Sequence, residues 1–310
     1  MQGLTVELPT GYYLERDPDV LFLRRTDGSV VGTFSVRGAA PEAVRRTVEE
    51  NCVVLPPLRA RFFGHFELSC GGEVMPLGRS GKALTILKYL LAHRNRPVSQ
   101  DHLMGWLWPD SNLKKARWSL NSAIHVLRKL IGNCPLPASV NYVLLEEGYY
   151  RLCPTIRVTT DVDEFDDRYE KGRRMEALGQ TRDAADQFEA AVDLYRDDYL
   201  VEDLYEDWTM VERERLSNVY TDALVRLADY YMKSGRHQDC IRTCYRILEK
   251  DRCHEESYRM LMRCYTGLGM RGRALRQYRL CEKTMGREYG LIPSAETSSL
   301  YEALLKGKVG

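Results

Sequence analysis

Residues 112–131, NLKKARWSLNSAIHVLRKLI, concentrate the side chains best suited to contacting a ligand. At about 100° per residue, Lys114, Trp118, Asn121, Ser122, His125 and Lys129 fall on one face of a helix. That face carries cations, an amide, a hydroxyl, an imidazole and an indole, which match phosphate oxygens and base edges. Ala116, Leu120, Ala123, Ile124, Leu127 and Ile131 form the opposite, apolar stripe, which is a core face. Asn121 and His125 suit base edges, while Lys114, Lys115 and Lys129 suit phosphates. Arg117 and Arg128 lie on the edge between the faces, placed either to reach phosphate or to pair with an acidic neighbour. Trp118 is outward on the wheel, for a sugar, a base methyl or a partner protein; the alternative is packing under a neighbouring hairpin. Any amphipathic surface helix has a polar face, so the flanking elements must decide.

Those elements are ordered. Residues 59–77 alternate apolar and polar around Gly71-Gly72 and predict a short antiparallel sheet. A helix follows over 81–93 with Leu84, Ile86, Leu87, Leu90 and Leu91 at helical spacing. A second spans 100–106, capped by Ser99 or Asp101, with Leu103, Trp106 and Leu107 inward. Trp108-Pro109-Asp110-Ser111 turns the chain into the two-faced helix, which Gly132 closes. Residues 141–153 read as two strands around Glu146-Glu147-Gly148, a wing whose Tyr149, Tyr150 and Arg151 are placed for the DNA backbone or minor groove. Sheet, three helices and a hairpin are the order of a winged helix-turn-helix over 58–157, with 112–131 as recognition helix.

On either side the pattern changes. Residues 1–55 read as a small β-β-α unit of unreadable role, with a hairpin at Thr26-Asp27-Gly28-Ser29, a helix opened by Pro41 and a boundary at Leu55-Pro56-Pro57. From 160 to 310 the strands stop. Gly235 and Gly269 lie 34 residues apart, as do Tyr231 and Tyr265, and Cys240 and Ala274, which is the tetratricopeptide (TPR) period. About three helix pairs are legible. The expected fold is therefore multidomain, α+β followed by all-α.

Charge follows the same division. The formal net charge is +1, yet residues 56–157 carry +8, residues 1–55 carry −2 and residues 158–310 carry −5. Basic charge sits where a phosphate-binding surface would need it. A hydrophobic fraction of 44% and a charged fraction of 29% fit globular domains. No apolar run is long enough to span a bilayer and MQGLTVELPT is unlike a signal peptide, so a cytoplasmic protein without membrane association is expected. Nine scattered cysteines predict reduced core thiols. Cys240, Cys244, Cys253, His254 and His237 have poor zinc spacing, so no metal is expected. GRSGKA at 78–83 has a misplaced glycine and lacks the Mg²⁺-binding hydroxyl of a phosphate loop. No catalytic constellation stands out, and neither an enzyme nor a cofactor is expected.

These segments resemble a known family. FFGHFELSCGGEVMPLGRSGKALTILKYLLAH, PVSQDHLMGWLWPD, ARWSLNSAIHVLRKLIG and YVLLEEGYYRL look like an OmpR-type winged helix-turn-helix. With DEFDDRYEKG and the closing ALRQYRLCEKTMGREYGLIPSAETSSLYEALL, residues 58–306 resemble the antibiotic regulatory protein (SARP) family and its bacterial transcriptional activation domain (BTAD). The resemblance implies an activator that binds direct repeats in double-stranded DNA near promoters as a side-by-side dimer and recruits RNA polymerase. It also implies that the turn before the recognition helix, here Trp108, Pro109, Asp110, Ser111, Asn112 and Leu113, touches the polymerase at its sigma or another subunit. The β-β-α unit is outside the core family pattern. The rival reading is a TPR-type adaptor whose winged helix docks protein.

Overall fold

A computed structural model describes residues 8, 12–25, 28, 30–36, 40–51, 57–78, 81–132, 142–154 and 156–307. The predicted turn residues Thr26, Asp27 and Ser29, the boundary residues Leu55 and Pro56, and Arg79 and Ser80 of the GRSGKA segment lie outside them. Contacts divide the chain into two units, residues 1–60 with 67–159 and residues 61–66 with 160–310.

The first unit begins with three strands where two were expected. β1 (Tyr12–Arg16) pairs antiparallel with β2 (Val20–Arg25), which pairs with β3 (Val30–Ser35). YYLER alternates too weakly to announce itself, because only Tyr12 and Leu14 turn inward. α1 (Pro41–Asn51) supplies Val44 and Val48, which bury Leu23 of β2 with Leu14 and Phe34.

The winged helix follows. β4 (Leu58–Arg61), β5 (Glu67–Cys70) and β6 (Glu73–Val74) form a sheet with β10 (Val158–Thr160), in the order β10-β4-β5-β6. α2 (Gly81–Ala92) buries Ile86, Leu87, Leu90 and Leu91. α3 (Gln100–Leu107) starts at Ser99, whose hydroxyl accepts from the Asp101 amide at 3.2 Å, which settles the cap on Ser99. Trp106 is only half-buried, tilted against Tyr89 of α2 at 5.1 Å between ring centroids. α4 (Leu113–Gly132) buries Ala116, Leu120, Ile124, Leu127 and Ile131 against α2 and α3, the stripe read from the sequence apart from half-buried Ala123.

β8 (Val143–Glu146) and β9 (Tyr149–Leu152) make the wing, turning through Glu147 and Gly148 at φ of 48° and 84°. Two consecutive left-handed residues are what a two-residue primed hairpin turn needs. Val98 and Ser99 form a further strand, β7, paired with Tyr150 and Tyr149 of β9. The Gln100 amide then donates to Gly148 O at 3.0 Å, tying the wing's turn to the start of α3.

The second unit is helical: α5 (Asp161–Ala177), α6 (Thr181–Leu194), α7 (Asp207–Lys233), α8 (His237–Lys250), α9 (Glu255–Gly267), α10 (Arg271–Tyr289) and α11 (Ala295–Leu305). The pairs α5/α6, α7/α8 and α9/α10 turn identically. Gly179, Gly235 and Gly269 take φ of 75°, 71° and 70°. The following amides of Gln180, Arg236 and Met270 reach back to Met175, Tyr231 and Tyr265 carbonyls at 2.9, 2.8 and 2.7 Å. Only glycine takes the left-handed position without strain, which explains the 34-residue glycine spacing. Gly172 of α5 has another role: a Cβ there would lie 2.7 Å from the Phe188 ring, so its absence sets how closely α5 and α6 approach. Cys240, Cys244 and Ala274 are fully buried core residues. Cys240 and Cys244 are 4.0 Å apart, and their contact, with burial, pushes the Cys240 thiol up to about 12.

One strand-like segment of the N-terminal half belongs to this unit. Residues 61–66 lie against it, with Phe63 bridging Tyr199 and the Phe62 ring stacked on Tyr199 at 5.4 Å. Asp161, the first residue of α5, turns its carboxylate to the amides of Phe62, at 2.8 and 3.0 Å, and Phe63, at 3.0 Å. Thr160 is the cap, its hydroxyl accepting from the Asp163 amide at 3.0 Å. Cys70 is also unlike the expectation, being disulfide-bonded, whereas Cys153, Cys240, Cys244, Cys253, Cys264 and Cys281 are free thiols.

Three partly buried carboxylates of this unit titrate low. Burial works against each charge, but hydrogen bonds and cations outweigh it: Lys250 and Tyr195 for Asp198, Arg226 and Tyr169 for Asp222, and Ser294, Thr297 and Arg259 for Glu255. A lowered folded value contributes stability above the unfolded pKa of about 4, lost as pH falls through the folded value. Asp161 has the opposite sign, burial pushing it up, so its contribution is greatest below the unfolded pKa and fades as pH rises. With these three and the exposed Asp167 and Glu288 lowered against one raised, the melting temperature of the helical unit is expected to fall between pH 5 and pH 3 at constant ionic strength. A flat profile would show that these pairs do not hold the fold.

Candidate nucleic-acid interface

α4 presents the predicted face to solvent. Lys114, Lys115, Arg117, Asn121, Ser122, His125, Arg128 and Lys129 are exposed, and Trp118 is 72% exposed, so its indole does not pack under the wing. Asn112 caps the helix, its side-chain oxygen accepting from the Lys115 amide at 2.9 Å. The first turn contains no acidic residue and two lysines. This opposes the helix dipole, so those lysines weaken the isolated helix slightly and favour an anion at its N-terminus.

Arg128 sits at the edge of the face, as its wheel position implies, and finds a backbone partner. Its Nη2 donates to Val143 O at 2.8 Å, linking α4 to β8. Strand alternation divides the wing residues. Tyr149 is 48% exposed, but Tyr150 is 1% exposed. The expected contact by Tyr150 with DNA is therefore corrected: its ring is wing core, and burial pushes its phenol up while Arg128 pulls it back. Arg151 is half-buried, its Nη2 2.6 Å from the Glu146 carboxylate. Glu146 is not singled out by sequence, although a carboxylate one turn from a wing cation is the signal that finds it.

The turn before α4 is held by the Ser111 amide donating to Trp108 O at 3.1 Å. Pro109, Asp110 and Asn112 are exposed, Leu113 is 63% exposed, and Trp108 and Ser111 are half-buried. A cavity of 290 Å³ lies beside it, lined by Asp101, Gly105, Trp108 and Leu113 among others. Among the described residues no group of three His, Cys, Asp or Glu side chains is arranged to hold a metal ion, and no helix is long and apolar enough to cross a membrane.

A sheet, a helix-turn-helix with an exposed basic second helix, and a hairpin wing, followed in the chain by TPR-like helix pairs, define a winged-helix transcriptional regulator. Comparison with known proteins narrows the class. The family described as "transcriptional regulatory protein, C terminal" matches residues 75–149, and the bacterial transcriptional activator domain matches residues 160–305. The regulatory protein MoaR1 of Mycobacterium tuberculosis is 25% identical over 258 residues, covering 83% of this chain and 82% of its own. DnrI of Streptomyces peucetius is 27% identical over 247 residues, covering 77% and 89%. EmbR of Mycobacterium tuberculosis is 26% identical over 245 residues, covering 78% of this chain and 62% of EmbR. A structure of EmbR in complex with a low-affinity phosphopeptide superposes with a TM-score of 0.66 at 23% identity, covering 82% of this chain and 66% of that one. The chain belongs to the SARP-type transcriptional regulators, an OmpR-type winged helix joined to a bacterial transcriptional activator domain.

Proposed function

We propose that the protein activates transcription by laying α4 in the major groove of direct repeats near promoters, as a side-by-side dimer, while the turn Trp108 to Leu113 meets RNA polymerase. The observation that carries this reading is the α4 face: nine exposed side chains, five of them Lys or Arg, with no carboxylate among them. Asn121, Ser122 and His125 read base edges, and Trp118 meets a sugar or a thymine methyl. Lys114, Lys115, Arg117 and Lys129 bind phosphates, the first two aided by the helix N-terminus. Arg128 holds the wing to the helix, and Tyr149 and Arg151 approach the neighbouring backbone. The exposed turn, with Leu113 and the cavity beside it, offers the polymerase a concave surface of mixed polarity. The winged-helix and helical segments, 58–157 and 160–310, would act as DNA-binding and regulatory domains, with 1–55 an accessory unit.

Selection of bound sequences from random duplexes at two salt concentrations tests the reading. A short motif repeated at about one helical turn, bound far more weakly at high salt, is the expected result. Motif-free binding that ignores salt would overturn it in favour of a protein-docking module. Lys114→Ala is expected to weaken binding to all duplexes and to flatten the slope of log affinity against log salt by about 1. An unchanged slope in a filter-binding series would remove Lys114 from the phosphate contacts.

A further inference from the structure

Residues 158–310 carry a net charge of −5, yet α10 turns a stripe of cations to solvent. The buried side of this helix is Ala274, Gln277, Cys281 and Met285. At about 100° per residue, Arg273, Arg276, Arg279, Leu280, Lys283 and Arg287 fall within an arc of about 120° opposite that side, and all six are exposed. From Arg273 to Arg287 the stripe is about 21 Å long, at about 1.5 Å per residue. Two of its cations are engaged: the Arg273 guanidinium lies over the Tyr265 ring, 5.9 Å from its centroid, and Arg287 pairs with the Glu288 carboxylate. Arg276, Arg279 and Lys283 pair with no carboxylate among the described residues. Elsewhere in the unit exposed cations are matched, Lys171 by Asp167, Lys233 by Asp229 and Arg242 by Asp239. Like charges three and four positions apart repel one another on a helix, so the stripe works against the helix that carries it, and an anion laid along it would relieve that repulsion.

We propose that α10 is a second contact for duplex DNA, one that grips the sugar–phosphate backbone without reading sequence. The proposal rests on the reading that the chain binds DNA through α4, and it gives the helical unit a share in that binding. A duplex presents one phosphate per about 1.7 Å of its axis, so a stripe of this length faces several of them. The forks of Arg276 and Arg279 match phosphate oxygens, and Lys283 adds a compact charge one turn further along. A protein partner would need an apolar anchor to bury, and Leu280, 46% exposed, is the one apolar side chain in the arc. Cations set against the backbone add affinity to every sequence alike and leave discrimination to the groove-facing helix.

Duplex binding by the full chain, followed by fluorescence anisotropy over a salt series, tests the stripe. A variant carrying Arg276→Gln, Arg279→Gln and Lys283→Gln is expected to bind every duplex at least tenfold more weakly at low salt and to flatten the slope of log affinity against log salt by about 2–3, at about 0.9 per phosphate contact. Its ratio of target to random affinity is expected to stay unchanged. Glutamine has nearly the helix propensity of the residues it replaces, and circular dichroism verifies that the variant is folded. A control with the same loss of charge, Lys171→Gln, Lys233→Gln and Arg242→Gln, removes three matched cations from the same unit and should leave the slope unaltered. Equal flattening by both variants would reduce the effect to net charge and overturn the proposal. A slope that the α10 variant does not change, while Lys114→Ala still flattens it, would overturn the stripe and leave the α4 reading standing. Flattening by the α10 variant, with no motif selected by the unaltered chain, would uphold the stripe and sink the α4 reading alone. Full duplex affinity in the α10 variant, together with lost binding of poly-L-glutamate, would give the stripe to an acidic protein surface instead.

Discussion

Asp161→Ala is expected to destabilise the helical unit by roughly 2–4 kcal/mol, a large share of the roughly 5–15 kcal/mol by which a domain is stable. The carboxylate is 4% exposed and accepts from the Phe62 and Phe63 amides. Alanine strands both N–H groups in a site lined by Phe62, Phe63, Phe165 and Tyr199, at about 1–3 kcal/mol each. Relief of carboxylate desolvation, which already pushes the Asp161 pKa up, offsets part of that loss and sets the estimate below the simple total. Asp161→Asn keeps one acceptor oxygen but turns an NH2 toward a donor, so it should lose an intermediate amount. Thr160→Ala removes only the helix cap and should cost about 1 kcal/mol. Urea unfolding of the full chain, followed by far-ultraviolet circular dichroism, orders the three variants. If Asp161→Ala cost no more than Thr160→Ala, the two amide bonds would not be what fastens residues 61–66 to the helical unit.

That fastening shows where sequence reading stops. The α4 face was legible because a single helix with 3.6-residue periodicity specifies it, and the Gly235 and Gly269 turns because each requires a left-handed residue at a fixed spacing. Asp161 and Phe62 are 99 positions apart, and no local period links them. FFGHF reads as part of an alternating strand, yet Phe62 and Phe63 are adjacent and both buried, which strand alternation does not permit. Tyr150 was legible in principle. Its neighbours Tyr149 and Arg151 share one face of β9, so alternation alone places it on the other. The short strand β7 was hidden for a different reason: Val98 and Ser99 are too few for a pattern, and their pairing with β9 depends on where the wing folds back.

Asn121→Ala and His125→Ala are each expected to reduce discrimination between target and random duplex by about 1–3 kcal/mol, about 5- to 150-fold, if α4 reads bases as proposed. Asn121 and His125 are one helical turn apart on the exposed face, flanked by Lys114 and Lys129. This is the arrangement of a reading pair bracketed by phosphate anchors. Neither side chain is buried, so truncation should leave stability within about 0.5 kcal/mol, and lost discrimination cannot then be attributed to unfolding. Arg128→Ala supplies the contrast. Its bond to Val143 O joins helix and wing, so its loss should weaken target and random duplexes together and leave their ratio unchanged. Competition binding with the selected motif and a scrambled duplex separates the two patterns. If Asn121→Ala and His125→Ala also lowered both affinities in parallel, this face would grip the backbone only, and sequence would have to be read by the wing or through the shape of the DNA.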